Sequence, residues 1–201
     1  MSPPRTRAPP LFSIVLAAGA SSRFGSPKQL LRVAGRPLLH TMVTRAAEVT
    51  GAALIVVLGS GAEELAPLLK HSPGSLVINQ EWREGLASSI RAGIARLPAT
   101  CAGALLVLAD QAAVTADDLL RLAGTWRRQP QYIAAASYAG TTGVPAIFPR
   151  TLFRELGELR GDIGARTLLR RNAARVVRVS MPSAALDVDT PEDLLGLSEP
   201  R

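Results

Sequence analysis

Leu16-Ala17-Ala18-Gly19-Ala20-Ser21-Ser22-Arg23-Phe24-Gly25-Ser26-Pro27-Lys28-Gln29-Leu30 follows directly on the apolar run 12–17. A short β-like run that breaks into small residues, glycine and hydroxyls reads as a buried strand leaving its sheet into a loop. Ala17, Ala18 and Gly19 present little side chain, so the backbone there can approach a base or a phosphate, while Ser21, Ser22 and Gly25 keep the loop polar and pliable. Arg23 and Lys28 add two cations. The glycines are not spaced G-x-G-x-x-G and no Gly-Lys-Ser/Thr follows, which disfavours a dinucleotide fingerprint and a Walker loop. A triphosphate attacked at its α-phosphorus gains charge on its oxygens, and an arginine with a point-charge lysine stabilises that charge. A solvated surface loop is the plainer alternative. Against it, the chain has 23 basic residues but only two lysines, Lys28 and Lys70, so a lysine inside this stretch stands out.

Outward from this loop, apolar runs alternate with helix-like segments: 12–17 then 37–49, 53–58 then 62–70, 76–78 then 87–97, 104–109 then 116–127. That alternation predicts an α/β fold, a single-domain Rossmann-like three-layer sandwich with a mostly parallel central sheet and helices on both faces. Residues 14–16, 54–58 and 105–108 are apolar without alternation, as strands buried on both faces are. After Pro130 the rhythm changes. Runs 132–138 and 144–148, separated by Ala139-Gly140-Thr141-Thr142-Gly143, read as a hairpin. Helices at about 150–157 and 164–171, a strand at 176–179 and a last helix at 191–197, capped by Thr190, complete the chain. Residues 1–10 are expected to be a disordered arm, with one domain over 11–201. In such a sheet, ligands sit outside the carboxyl ends of the strands, just after residues 17, 58, 78 and 109.

Composition narrows the function classes. At 201 residues and 47% hydrophobic, the chain can bury one substantial core. No apolar run approaches the roughly 18 residues that span a bilayer, so no membrane role and a cytoplasmic location are expected. The single cysteine, Cys101, reads as an inert core or loop thiol. A net charge of +7 is spread along the chain with few aromatics between the cations, which suits a solvated basic surface and a field favourable to phosphates better than a nucleic-acid groove.

Asp110 ends a buried strand, where a carboxylate is well placed to hold magnesium bridging substrate phosphates; the alternative, an aspartate capping the next helix, is weakened because Thr115 is the better cap. If the segment before Thr190 is extended, Asp187 and Asp189 point to one side, and either completes a metal site with Asp110; both also belong to a good helix start. Gly85 permits close backbone approach, and Ser88 or Ser89 can hydrogen-bond a base or ribose, unless the stretch is only a loop and an N-cap.

Residues 16–30 resemble the L-A-A-G-x-S-x-R-x-G-x-x-K-x-L signature of the nucleotidyltransferases with a glycosyltransferase-A-like Rossmann fold, and within them the molybdenum cofactor cytidylyltransferases. Asp110-Gln111 is similar to that family's L-x-D-Q-P motif, with Ala112 in place of the proline. Residues 79–93 resemble its N-x-x-W-x-x-G-x-x-S-S-L-x-x-G element, Gly161-Asp162-Ile163-Gly164-Ala165-Arg166 its G-D-x-G-x-R element, and 187–194 its D-I-D-T-P-E-D-L closing motif. The resemblance spans about residues 12–197. It implies that Leu16, Ala17, Ala18, Gly19, Arg23, Lys28, Gly85, Ser88 and Ser89 bind nucleotide. Arg23, Lys28 and Asp110 are implied as catalytic, and Asp110 with Asp187 or Asp189 as ligands to Mg2+. On the acceptor side, glycine-flanked amides near Arg166 would grip a phosphate, although Asp162 also reads as a helix cap and Arg166 as a surface cation.

The function implied is transfer of CMP from CTP to molybdopterin with release of pyrophosphate. Two alternatives stay open: another nucleotide such as GTP or another phosphorylated acceptor, and a carrier that hands the nucleotide form to a molybdoenzyme without turnover. The absent glycine fingerprint disfavours a Rossmann oxidoreductase.

Overall fold

The computed structural model describes residues 8–20, 27–33 and 35–187. The three runs read as central strands lie side by side: β1 (Leu11–Ala17) pairs in parallel with β4 (Leu54–Leu58) on one edge and β6 (Gly103–Leu108) on the other. Between β1 and β4 come a two-stranded ribbon, β2 (Arg32–Val33) and β3 (Arg36–Pro37), and helix α1 (Leu38–Thr50). The seven-stranded sheet runs β5-β4-β1-β6-β8-β7-β9, with β5 at Ser75–Ile78, β7 at Ile133–Tyr138, β8 at Thr141–Pro149 and β9 at Val176–Ser180. Only β8 runs against the rest, inserted between β6 and β7.

Continuous apolar sequence in the central strands serves two cores. Along β1, Val15 and Ala17 face one cluster and Ile14 and Leu16 the other, as the two-residue period of a strand requires. The first cluster is closed by α1, through Leu39, Met42, Val43 and Ala46, and by α4 (Ala116–Arg128), through Leu119, Leu122, Ala123 and Trp126. Both sets recur at three- and four-residue spacing, one stripe of a helix. The second cluster is closed by α3 (Leu86–Ile94), α5 (Phe153–Gly157) and α6 (Arg166–Arg171). The expected three-layer sandwich is thereby realised.

Local departures have local causes. Residues 62–70, read as one helix, form α2 (Ala62–Leu65) and then a 3-10 turn (Ala66–Leu69), because Pro67 has no amide to continue the α-helical ladder. Residues 150–157 likewise begin as a 3-10 turn (Arg150–Leu152) before α5. Thr115 caps α4 as expected: its hydroxyl accepts from the Asp118 amide at 3.1 Å, and Asp118 accepts from the Thr115 amide at 3.0 Å. Burial opposes ionisation of Asp118, yet the Thr115 amide, the Ser183 and Thr115 hydroxyls and Arg121 outweigh it and hold this carboxyl below its ordinary range. Cys101 is buried, and burial pushes its thiol up, as an inert core cysteine requires. Among the described residues no helix is long and apolar enough to cross a membrane.

Candidate active site

Strand order reverses at β1: the chain steps outward from it to β4 and β5, then returns to its other side for β6. At such a switch point the loops leaving the two strands part and open a crevice. A cavity of about 740 Å³ lies there, lined by Leu16 to Ala20 from the exit of β1, Leu108 to Asp110 from the exit of β6, and Lys28, Gln29, Trp82, Arg83, Gly85, Ser89 and Asp162.

Lys28 opens a 3-10 helix (Lys28–Leu30), and its Nζ lies 2.6 Å from Asp110 Oδ2. Both side chains are mostly buried, 17% and 22% exposed, so the pair sits in a partly desolvated wall where its field is less screened than on an open surface. Asp110 Oδ1 is buried and has no hydrogen-bond partner. A buried carboxylate oxygen in that state is under-satisfied, and a hard divalent cation is one group that would satisfy it.

Gln29, a residue the sequence reading passed over, sets the shape of the β1 exit. It is buried, and its amide donates to the carbonyls of Ala17 (3.2 Å) and Gly19 (3.3 Å), fixing the small-residue turn from beneath. Gly59 at the exit of β4 does comparable work: a Cβ there would come within 2.6 Å of Trp82 Cβ and 2.8 Å of Ala18 Cβ. Its place immediately after a buried strand was the available signal. Trp82 and Arg83 complete this wall, with the Arg83 guanidinium 4.4 Å from the Trp82 ring centroid, a cation–π stack.

Asn79 organises the 79–93 segment. It is buried, and its amide donates to Ser88 Oγ at 2.8 Å and Ser89 Oγ at 3.1 Å, while its Oδ1 accepts from the Glu81 amide. Ser88 in turn donates to the Gly85 carbonyl at 2.8 Å; it is thus engaged inside the turn, and of the two serines Ser89 is the one that lines the cavity. Gly85 adopts φ +112 and ψ −173. The close approach it permits is that of the 161–162 backbone: a Cβ on Gly85 would meet Asp162 Oδ1 at 2.2 Å and Gly161 C and O at 2.8 Å. Gly85→Ala should therefore lower stability by about 1–3 kcal/mol from the glycine-only conformation alone. A denaturation midpoint equal to that of the parent protein would show that the turn relaxes instead.

The other expected residues fall elsewhere. Arg23 and Asp189 lie outside the described residues. Asp187 is exposed and is not part of the described cavity wall. Among the described residues no three His, Cys, Asp or Glu side chains cluster around a common point. Arg166 begins α6, also away from the wall, and Asp162 does not cap that helix, whose N-cap is Ala165 with no side-chain bond. Gln111 is buried, and its amide donates to the carbonyls of Val144 (3.0 Å) and Ala184 (3.3 Å), tying the end of β6 to β8 and to the 182–185 turn.

Known proteins are similar to this chain along nearly its whole length. Nicotine blue oxidoreductase of Paenarthrobacter nicotinovorans is 32% identical, over 96% of this chain and 98% of its own. The purine catabolism protein PucB of Bacillus subtilis (strain 168) is 30% identical over 93% and 95%. Crystal structures of Rv0371c from Mycobacterium tuberculosis H37Rv superpose with TM-scores of 0.81 at 32% identity and, for its complex with manganese, 0.74 at 29%; each aligns with 96% of this chain and the whole of that one. Residues 13–176 match the model of the MobA-like NTP transferase domain, a span that holds the β1 exit, Lys28, Asp110 and the Asn79–Ser89 turn. On these matches the chain is a member of the MobA-like NTP transferases, a nucleotidyltransferase.

Proposed function

We propose that the chain transfers CMP from CTP to molybdopterin and releases pyrophosphate. The observation that carries this reading is the Lys28–Asp110 pair in the wall of the switch-point cavity. A terminal phosphate oxygen of the acceptor forms a bond to the α-phosphorus of CTP, and the bond from that phosphorus to the oxygen bridging to the β-phosphorus breaks. The leaving group is pyrophosphate. Backbone groups of residues 16–19 approach the nucleotide, Gly85 and Ser89 border its base or ribose, and Arg23 and Lys28 stabilise charge on the phosphate oxygens. No covalent enzyme intermediate is required, because positioning and electrostatics lower the barrier. Mg2+ would be held by Asp110, with Asp187 or Asp189, and when bound supplies charge neutralisation across the phosphates. Two things support a divalent cation: the under-satisfied Oδ1 of Asp110 and the manganese in the Rv0371c complex.

The redox name of one relative does not transfer to this chain. The first loop lacks the dinucleotide glycine spacing, and the cavity offers a lysine–carboxylate pair suited to phosphates. The test is pyrophosphate release with Mg2+ and each of the four ribonucleoside triphosphates, with and without molybdopterin. Release with CTP and molybdopterin together, and with no other pair, is expected. Release with GTP reassigns the base. Silence with every triphosphate, despite measurable CTP binding, points to a carrier that passes the nucleotide form to a molybdoenzyme.

A further inference from the structure

Asp162 is held in the cavity wall by contacts it does not itself make. The Ala87 amide donates to the Gly161 carbonyl at 3.1 Å, and the Gly161 amide to Glu84 Oε1 at 3.3 Å. Arg91 closes the clamp: its Nη1 donates to Glu84 Oε1 at 2.7 Å and to the Leu159 carbonyl at 2.8 Å, and its Nη2 to Glu81 Oε2 at 3.0 Å. The hydrogen bond from Arg91 is the largest cause holding the Glu84 carboxyl down at about 2, so the clamp stays ionised at neutral pH. On its inner side the loop is seated against Gly85, whose missing Cβ leaves the space that Asp162 Oδ1 occupies.

The Asp162 carboxylate itself makes no hydrogen bond or ion pair among the described residues, and it lines the same cavity as Lys28 and Asp110. In a cavity that takes a polyphosphate, a fixed carboxylate repels the ligand's charge. That repulsion is offset where the carboxylate accepts hydrogen bonds from ligand donors, for which it has two oxygens side by side. We propose that Asp162 is a specificity-determining residue whose carboxylate accepts from two neighbouring donors of the bound ligand, an N–H pair on a heterocycle edge or a sugar diol. The inference rests on the reading of this cavity as a nucleotidyl-transfer site. The donors belong either to the nucleotide or to the acceptor, and the two are separable by measurement.

Asp162 is exposed and caps nothing, so Asp162→Asn and Asp162→Ala leave the fold intact. Asparagine keeps the shape and turns one acceptor into a donor. Isothermal titration of CTP and of GTP with Mg2+ forms one arm, and pyrophosphate release from the preferred triphosphate at varied molybdopterin forms the other. A loss of about tenfold or more is expected in one arm for both variants, the scale of a hydrogen bond to a charged group. Weakened nucleotide binding places the donors on the nucleotide. Unchanged nucleotide binding with a raised KM for molybdopterin and retained kcat places them on the acceptor. If the parent protein turns over no molybdopterin, the functional reading fails on that result and the binding arm alone decides. Variants that match the parent in every arm that can be run overturn the proposal.

Discussion

Lys28→Ala is expected to slow pyrophosphate release by about two to three orders of magnitude, the loss seen when one preorganised charge stabiliser is taken from a transition state. The ammonium lies in the cavity wall, 17% exposed and 2.6 Å from Asp110, so it acts where water screens it poorly and where no reorganisation is needed at the moment of transfer. Phosphate charge shifts onto the leaving oxygens as the α-bond breaks, and the loss should therefore fall mainly on kcat, with a smaller rise in KM for the triphosphate. Arginine is not a substitute. Its planar fork reaches further and carries its charge over a larger group, so Lys28→Arg should recover only part of the rate. The side chain stands at the start of a three-residue 3-10 helix and closes no core layer, and circular dichroism and CTP binding should show the alanine variant folded. A rate near that of the parent protein removes Lys28 from the mechanism.

Much of the frame that places Lys28 was legible before any coordinates. Residues 14–16, 54–58 and 105–108 are apolar on both strand faces, and only a doubly covered sheet gives them somewhere to go. The small residues at 17–19 and the carboxylate at 110 then fall at strand exits, and the switch point follows from strand order. What sequence could not order was the second half of the sheet. The hairpin 133–149 was readable from its turn, but its insertion with β8 beside β6 rests on pairings such as Leu105 with Ile147, forty-two positions apart, which no local pattern announces. Side-chain direction was equally hidden. Ser88 and Ser89 are indistinguishable as neighbours at a helix start, yet Ser88 spends its hydroxyl on the Gly85 carbonyl and Ser89 reaches the cavity. Gln29 escaped, and Asp162 was read only as a helix cap, for a related reason. One is a buried polar strut and the other an exposed carboxylate, and both matter through groups 10 or more positions away: the Ala17 and Gly19 carbonyls for Gln29, the bare Gly85 backbone for Asp162.

Asp110→Asn is the second substitution expected to have a large effect, and it separates the metal from the lysine. The amide is isosteric, so Lys28 keeps a neutral oxygen to donate to, but the negative charge that would hold a divalent cation is gone. Metal affinity, read directly by titrating Mn2+ in the presence of CTP, should fall by about one to two orders of magnitude, in the range lost when a metal site is perturbed. Turnover at fixed Mg2+ should fall with it and recover in part as Mg2+ is raised, whereas Lys28→Ala should not recover with added metal. The isosteric amide still offers Lys28 an acceptor in the cavity wall, so circular dichroism should show the asparagine variant folded. An Asp110→Asn protein whose metal titration overlays that of the parent would assign Asp110 to holding Lys28 in place, and would move the cation to the carboxylates that follow Leu186. Both substitutions therefore have to be measured against the same Mg2+ series, because only the contrast between a rate that metal restores and one that it does not distinguishes a ligand from a stabilising charge.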